Sequence, residues 1–69
     1  MLIYTIQYRY NDSLDLKAVA VTEETAQARF KELTQAYGLS LKAATRYISI
    51  EIWDAETGDY VCDLKPITE

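Results

Sequence analysis

The 69-residue sequence has no histidine, one cysteine, two glycines and one proline, and each scarcity removes a class of chemistry. Without histidine there is no Ser-His or Cys-His nucleophile pair and no imidazole to hold a metal. The lone Cys62 allows neither a disulfide within the chain nor a thiolate zinc cage. Gly38 and Gly58 stand apart, whereas a P-loop or dinucleotide fingerprint needs clustered glycines to bring backbone N–H groups against phosphate. No apolar run approaches the roughly eighteen residues of a membrane helix. Met1 to Tyr10 also lacks the basic start and small-residue cleavage site of a signal peptide. The expected location is cytoplasmic, which agrees with the single cysteine, since small secreted domains usually carry several disulfides.

What the chain does have is apolar content. At 49% hydrophobic residues, it can offset the ordering entropy that leaves polar segments disordered. One domain, residues 1–69, is expected, and the core must be economical because a chain this short buries only about 60% of its unfolded surface.

Residues 2–10, LIYTIQYRY, alternate with period two, which predicts a half-buried strand. Leu2, Tyr4, Ile6, Tyr8 and Tyr10 point one way, and Ile3, Thr5, Gln7 and Arg9 the other. Asn11, Asp12 and Ser13 supply turn chemistry, and residues 14–21 form a second strand. A three-residue turn pairs Tyr10 with Leu14, Tyr8 with Leu16, Ile6 with Ala18 and Tyr4 with Ala20. Large residues then face small ones on the inner side, and Arg9 faces Asp15 on the outer side.

Thr22 is placed to cap a helix over about residues 23–37, with Glu23 and Glu24 at the positive end of its dipole. Ala26, Phe30, Leu33 and Tyr37 make its apolar stripe. Gly38 suits a left-handed helix end, with Leu39 folding back on the last turn. Residues 39–44 are a connector with room for a short helical turn. A third strand, about 46–53, turns Ile48, Ile50 and Ile52 inward and Tyr47, Ser49, Glu51 and Trp53 outward. After the turn at 54–58, which ends in Gly58, a fourth strand runs over about 59–65. Its expected register sets Tyr60, Cys62 and Leu64 against Ile52, Ile50 and Ile48 on the core face, with Cys62 a small buried hydrophobe. Pro66 ends the strand. Strand, strand, helix, strand, strand predicts an α+β domain with one four-stranded sheet and one helix on one face.

The segment Thr25 to Lys31, the helix-ending Gly38 and the Trp53-Asp54-Ala55-Glu56-Thr57 turn resemble the immunoglobulin-binding domains of streptococcal protein G. The resemblance implies a β-grasp-like ββαββ fold with a mixed sheet, its first and last strands parallel in the middle. It does not extend to antibody binding. The family grips Fc with a Glu-Lys pair on the helix, and the matching positions here are Gln27 and Ala28, with Lys31 alone retained.

Charge is unevenly spread. Six acids (Glu51, Asp54, Glu56, Asp59, Asp63, Glu69) against Lys65 give residues 51–69 a charge of about −5, while six bases and five acids leave residues 1–50 near +1, in keeping with the net −4. Such a prong steers association with a basic partner. The same acids on an exposed hairpin also serve solubility alone. On the sheet face away from the helix, Ile3, Thr5, Val19 and Val21 are expected near Tyr47, Trp53 and Val61. That patch is either an interaction surface or a set of cross-strand pairs that support the sheet.

Enzyme chemistry is not expected. Gly58 occupies a place where a calcium loop wants a ligand, and so small a sheet has little volume for a cleft. No cofactor, metal or catalytic residue is assigned. Nucleic acid is disfavoured by the net acidity, and a membrane by the missing apolar run. The leading expectation is a small acidic protein-binding module, with Tyr47, Glu51, Trp53, Asp54, Glu56, Asp59, Val61 and Asp63 toward a basic partner. By analogy of size and charge it compares with phage and mobile-element inhibitors of host defence or nucleic-acid-handling machinery. The alternative is a homo-oligomer, including a homodimer through the outer sheet face, or a protein holding a small ligand near Tyr8, Tyr47 and Trp53.

Overall fold

The computed structural model describes residues 1–68; Glu69, one of the C-terminal acids, lies outside the described residues. The elements are β1 (Leu2–Tyr10), β2 (Ser13–Ala20), α1 (Glu23–Ala36), α2 (Leu41–Ala44), β3 (Ile48–Asp54) and β4 (Tyr60–Leu64). The domain is α+β, one four-stranded sheet with one main helix. Both ends of α1 follow from local chemistry. The Thr22 hydroxyl accepts from the Thr25 N–H at 3.1 Å. At the other end Gly38 takes φ +68, while the N–H groups of Gly38 and Leu39 close on the carbonyls of Gln35 and Thr34. This is the paired closure of a Schellman helix end. The connector winds into α2, capped by the Ser40 hydroxyl on the Ala43 N–H.

The strand order is β2-β1-β3-β4 and every neighbouring pair is antiparallel. This corrects the expected mixed, β-grasp-like sheet: β3, not β4, is the central neighbour of β1. The composition of the strands supplies the reason. A central place favours the longer and more apolar strand, and β3 brings Ile48, Ile50 and Ile52 on one face. β4 is shorter, carries Asp63 and is closely followed by Pro66, all traits suited to an edge. The chain between β2 and β3 crosses over β1, laying α1 across β1, β2 and β3. The core lies in that space: Ile6, Ala20, Ala26, Phe30, Ala44, Ile48 and Ile50 are buried, with Tyr4, Tyr8, Leu33 and Leu64 packed around them.

Because α1 does not extend over β4, Cys62 is exposed, which corrects the expectation of a buried thiol. Leu64 is half-buried. The chain beyond β4 is held differently. The Gln27 side chain donates to the Lys65 carbonyl at 3.1 Å and accepts from the Ile67 N–H at 3.0 Å, on either side of Pro66, which has no N–H to offer. On α1 itself, Tyr37 is exposed and Thr34 takes a buried place, its hydroxyl donating to the Phe30 carbonyl at 2.8 Å.

Both hairpins contain an irregularity absent from the expected registers. In the first, Tyr10 pairs with Ser13, Arg9 with Leu14, Tyr8 with Asp15 and Gln7 with Leu16. The turn is therefore Asn11-Asp12, two residues long, with Asn11 at φ +55, a conformation asparagine tolerates better than most residues. Further along, Ile6 pairs with Ala18 and Tyr4 with Ala20, as expected. The register shifts between Ile6 and Gln7, and Lys17 is the extra residue, a β-bulge. Two local demands differ by one residue. The short turn counts from Asn11, while the helix above needs the small Ala18 and Ala20 beneath it. One unpaired residue reconciles them.

In the second hairpin Ile52 pairs with Cys62 and Ile50 with Leu64, two residues away from the expected register, and Trp53 pairs with Tyr60 across a second shift. The Gly58 N–H bonds the Asp54 carbonyl at 2.8 Å and the Asp54 N–H bonds the Asp59 carbonyl at 2.9 Å. Gly58 stands at φ +76, where a Cβ would be strained.

Candidate functional site

A one-residue slip moves every following side chain to the opposite face. Beyond the bulge Leu14 and Leu16 therefore stand on the outer sheet face beside Arg9 and Gln7, not on the core face where they are expected. They are 56% and 62% exposed. The second irregularity does the same for Tyr60, which pairs with the outward Trp53, the rings meeting edge to face with centroids 5.7 Å apart. The two bulges together transfer three large side chains to the face that α1 leaves uncovered.

There they border an open groove of about 240 Å³ lined by Thr5, Gln7, Leu14, Leu16, Glu51 and Trp53. Each lining residue is placed by register. Thr5 and Gln7 alternate outward on β1, paired with Glu51 and Ser49 of β3. Trp53 lies two residues beyond Glu51, and its indole N–H donates to Glu51 Oε1 at 3.3 Å. The floor is unusual. Gln7 is 97% buried, at 3% exposure, yet neither its amide oxygen nor its amide nitrogen has a hydrogen-bond partner among the described residues; the same holds for Ser49 Oγ opposite it. Burying a polar group without a partner costs free energy, so native structures pair nearly all of them, with protein groups or with ordered water.

The groove has an acidic side. Glu51 pairs directly with Asp63 across β3 and β4, two like charges where a sheet ordinarily disfavours them. Among the described residues no lysine or arginine forms an ion pair with either. Asp63 instead accepts from the Tyr60 hydroxyl at 2.7 Å. That bond to a carboxylate, aided by desolvation and by the charges of Asp63 and Glu51, pushes the Tyr60 hydroxyl up to about 12 from the ordinary 10.0.

Of the residues expected to meet a partner, the structure thus gathers Glu51, Trp53 and Asp63 on one face. Asp54, Glu56 and Asp59 form the adjoining turn. Asp54 Oδ1 accepts from the Glu56 N–H at 2.9 Å, and Glu56 Oε1 lies 3.4 Å from the N-terminal ammonium. Val61 is exposed on the edge strand. Tyr47 belongs elsewhere. Its ring stacks 6.4 Å from that of Tyr8, which also approaches Tyr10 at 6.3 Å and Tyr37 at 4.4 Å. Tyr8 faces α1 and Trp53 faces away from it, so the structure separates the trio Tyr8, Tyr47 and Trp53. Leu14, Leu16, Tyr60 and the buried state of Gln7 are the features the sequence reading misses. The signal for the first two is Asn11-Asp12 read as a two-residue turn.

Among the described residues there is no group of three metal-ligating side chains, and no helix is long and apolar enough to cross a membrane. No protein-family model, curated protein or solved structure matches the chain.

Proposed function

We propose that this protein is a small protein-binding module that docks on a basic partner through the outer face of its sheet and the adjoining acidic hairpin. The observation that carries this reading is the groove itself: exposed Leu14 and Leu16 and half-buried Trp53 around a buried, unpartnered Gln7, beside the unneutralised pair Glu51 and Asp63. Apolar side chains supply area that gains from leaving water, while the acids orient the approach and select the sign of the partner's charge. An inhibitor that occupies a basic, nucleic-acid-handling surface, of the kind carried by phages and mobile elements, fits that pattern.

Self-association is the second reading, favoured by the exposure of Leu14 and Leu16 and opposed by the carboxylates that two copies would bring together. Light scattering across protein concentration separates them: the docking module stays monomeric, and a stable dimer with buried Trp53 overturns it. The partner side is tested by affinity capture from the native host, comparing the wild-type chain with a Glu56→Lys, Asp59→Lys double variant. Both positions are exposed, so the variant's stability is expected within about 0.5 kcal/mol of wild type. Capture is expected to weaken in the variant and with added salt. Capture indifferent to both removes the electrostatic part of the proposal.

A further inference from the structure

The outer groove combines two requirements that few side chains meet together. Its walls, Leu14, Leu16 and Trp53, are apolar, while one side presents the Glu51 carboxylate, whose Oε1 takes, among the described residues, only the long bond from Trp53, and its floor holds the Gln7 amide oxygen, covered and without a partner. An aliphatic group would fill the walls and leave both acceptors unsatisfied. A carboxylate or phosphate would meet Glu51 and Asp63 with like charge. A long stem ending in a cation satisfies both, and a planar guanidinium does so better than an ammonium. Its fork of donors reaches two acceptors at once, and its flat face stacks on an indole. Gln7 and Glu51 are diagonal neighbours on β1 and β3, within the span of such a group.

We infer that this groove receives an arginine side chain of the partner, its methylene stem between Leu14, Leu16 and Trp53, and its guanidinium on the Glu51 carboxylate and, as the entering group displaces the side chains over it, on the Gln7 amide oxygen. The inference rests on the reading of this face as a docking surface and names the chemistry that fills it. The chain's own base on this face, Arg9, does not line the groove and forms no ion pair with Glu51. With the amide oxygen of Gln7 engaged, its nitrogen still needs an acceptor. The Ser49 hydroxyl opposite it, also without a partner, is the group positioned by register to serve.

The test uses the full chain, isotope-labelled for NMR, titrated with capped Gly-Arg-Gly tripeptide and with the same peptide carrying lysine, citrulline or norleucine in place of arginine. The arginine peptide is expected to give saturable shifts at the Trp53 indole N–H and the Gln7 side-chain amide. Citrulline keeps the shape and loses the charge, so it is expected to bind about tenfold more weakly or worse. Glu51→Gln is expected to lose a similar factor. Gln7→Met is the sharpest variant: it removes two buried unpaired atoms, so the urea midpoint of the free protein should rise while the preference for arginine over norleucine collapses. A Gln7 that only supports the fold would lower the midpoint. Equal binding of citrulline and arginine overturns the inference, as do shifts confined to the 54–59 turn, or groove resonances that move with protein concentration alone, the mark of a second copy. If the arginine peptide fails while the Glu56→Lys, Asp59→Lys variant still loses its partner, the docking reading stands and the arginine assignment falls.

Discussion

The two faces of this sheet are made by the same strands, and they treat apolar and polar side chains in opposite ways. The inner face, under α1, buries Ile6, Ile48, Ile50 and Phe30 to 1% exposure or less, and among the described residues no buried side-chain polar atom on it lacks a partner. On the outer face large apolar side chains stand in solvent while a glutamine is buried without a hydrogen bond. An unaided sheet face in water would be built the other way round, polar side chains outward and apolar ones sparse. The inner face is settled by packing within the chain; the outer face carries apolar side chains that α1 leaves uncovered.

The largest test of that contrast is truncation on each side. Phe30→Ala is expected to cost about 3–5 kcal/mol, most of the stability of a chain this size at about 0.05–0.15 kcal/mol per residue. Leu16→Ala on the outer face is expected to change stability by no more than about 0.5 kcal/mol. Chemical denaturation followed by circular dichroism measures both. A loss at Leu16 comparable to that at Phe30 would make the outer face a second core and end the contrast.

The next test addresses how Leu14 and Leu16 come to face outward. Asn11→Val places a β-branched residue at positive φ and is expected to cost about 1–2 kcal/mol, while Asn11→Gly keeps the turn and costs nothing measurable. Cross-strand NMR contacts between Arg9 and Leu14 should persist in the glycine variant. If the valine variant keeps both its stability and those contacts, the two-residue turn is not what sets the outer face.

The smallest effect is at Tyr60. Its folded value, about 12, lies above the ordinary one, so the neutral hydroxyl is the form the fold favours. The contribution is full below about pH 10 and disappears as pH rises through about 12. Asp63→Asn removes the negative acceptor and should bring the Tyr60 titration down toward its ordinary value. An unchanged midpoint would show that the hydroxyl is held by something other than Asp63.

Much of this architecture can be read along the chain because it depends on residues close together in sequence. Thr22 and Gly38 mark the ends of α1, the alternation of Leu2 to Tyr10 marks β1, and the isoleucines of β3 mark the face that meets the core. The errors lie where two local signals must be reconciled over distance. A three-residue turn at 11–13 keeps Leu14 and Leu16 inside, and nothing near them announces that Lys17 will be left out of the ladder. Glu51, Trp53 and Asp63 are visible as outward residues of two neighbouring strands. Gln7 also reads as outward, but it is buried, in a groove it shares with Leu14 and Leu16, which reach that face only through the bulge.

By itself, then, the sequence determined the elements, the helix caps, the inner apolar stripes and the acidic bias of the last nineteen residues, since each depends on near neighbours or on composition. Tertiary structure alone decided that β3 and not β4 lies beside β1, that Cys62 is left outside the reach of α1, and that the outer face carries a groove. These outcomes depend on which strands compete for the centre of the sheet and on how two hairpins of fixed turn length fit beneath one helix. That competition is settled by packing between residues far apart in the chain, which no local pattern encodes.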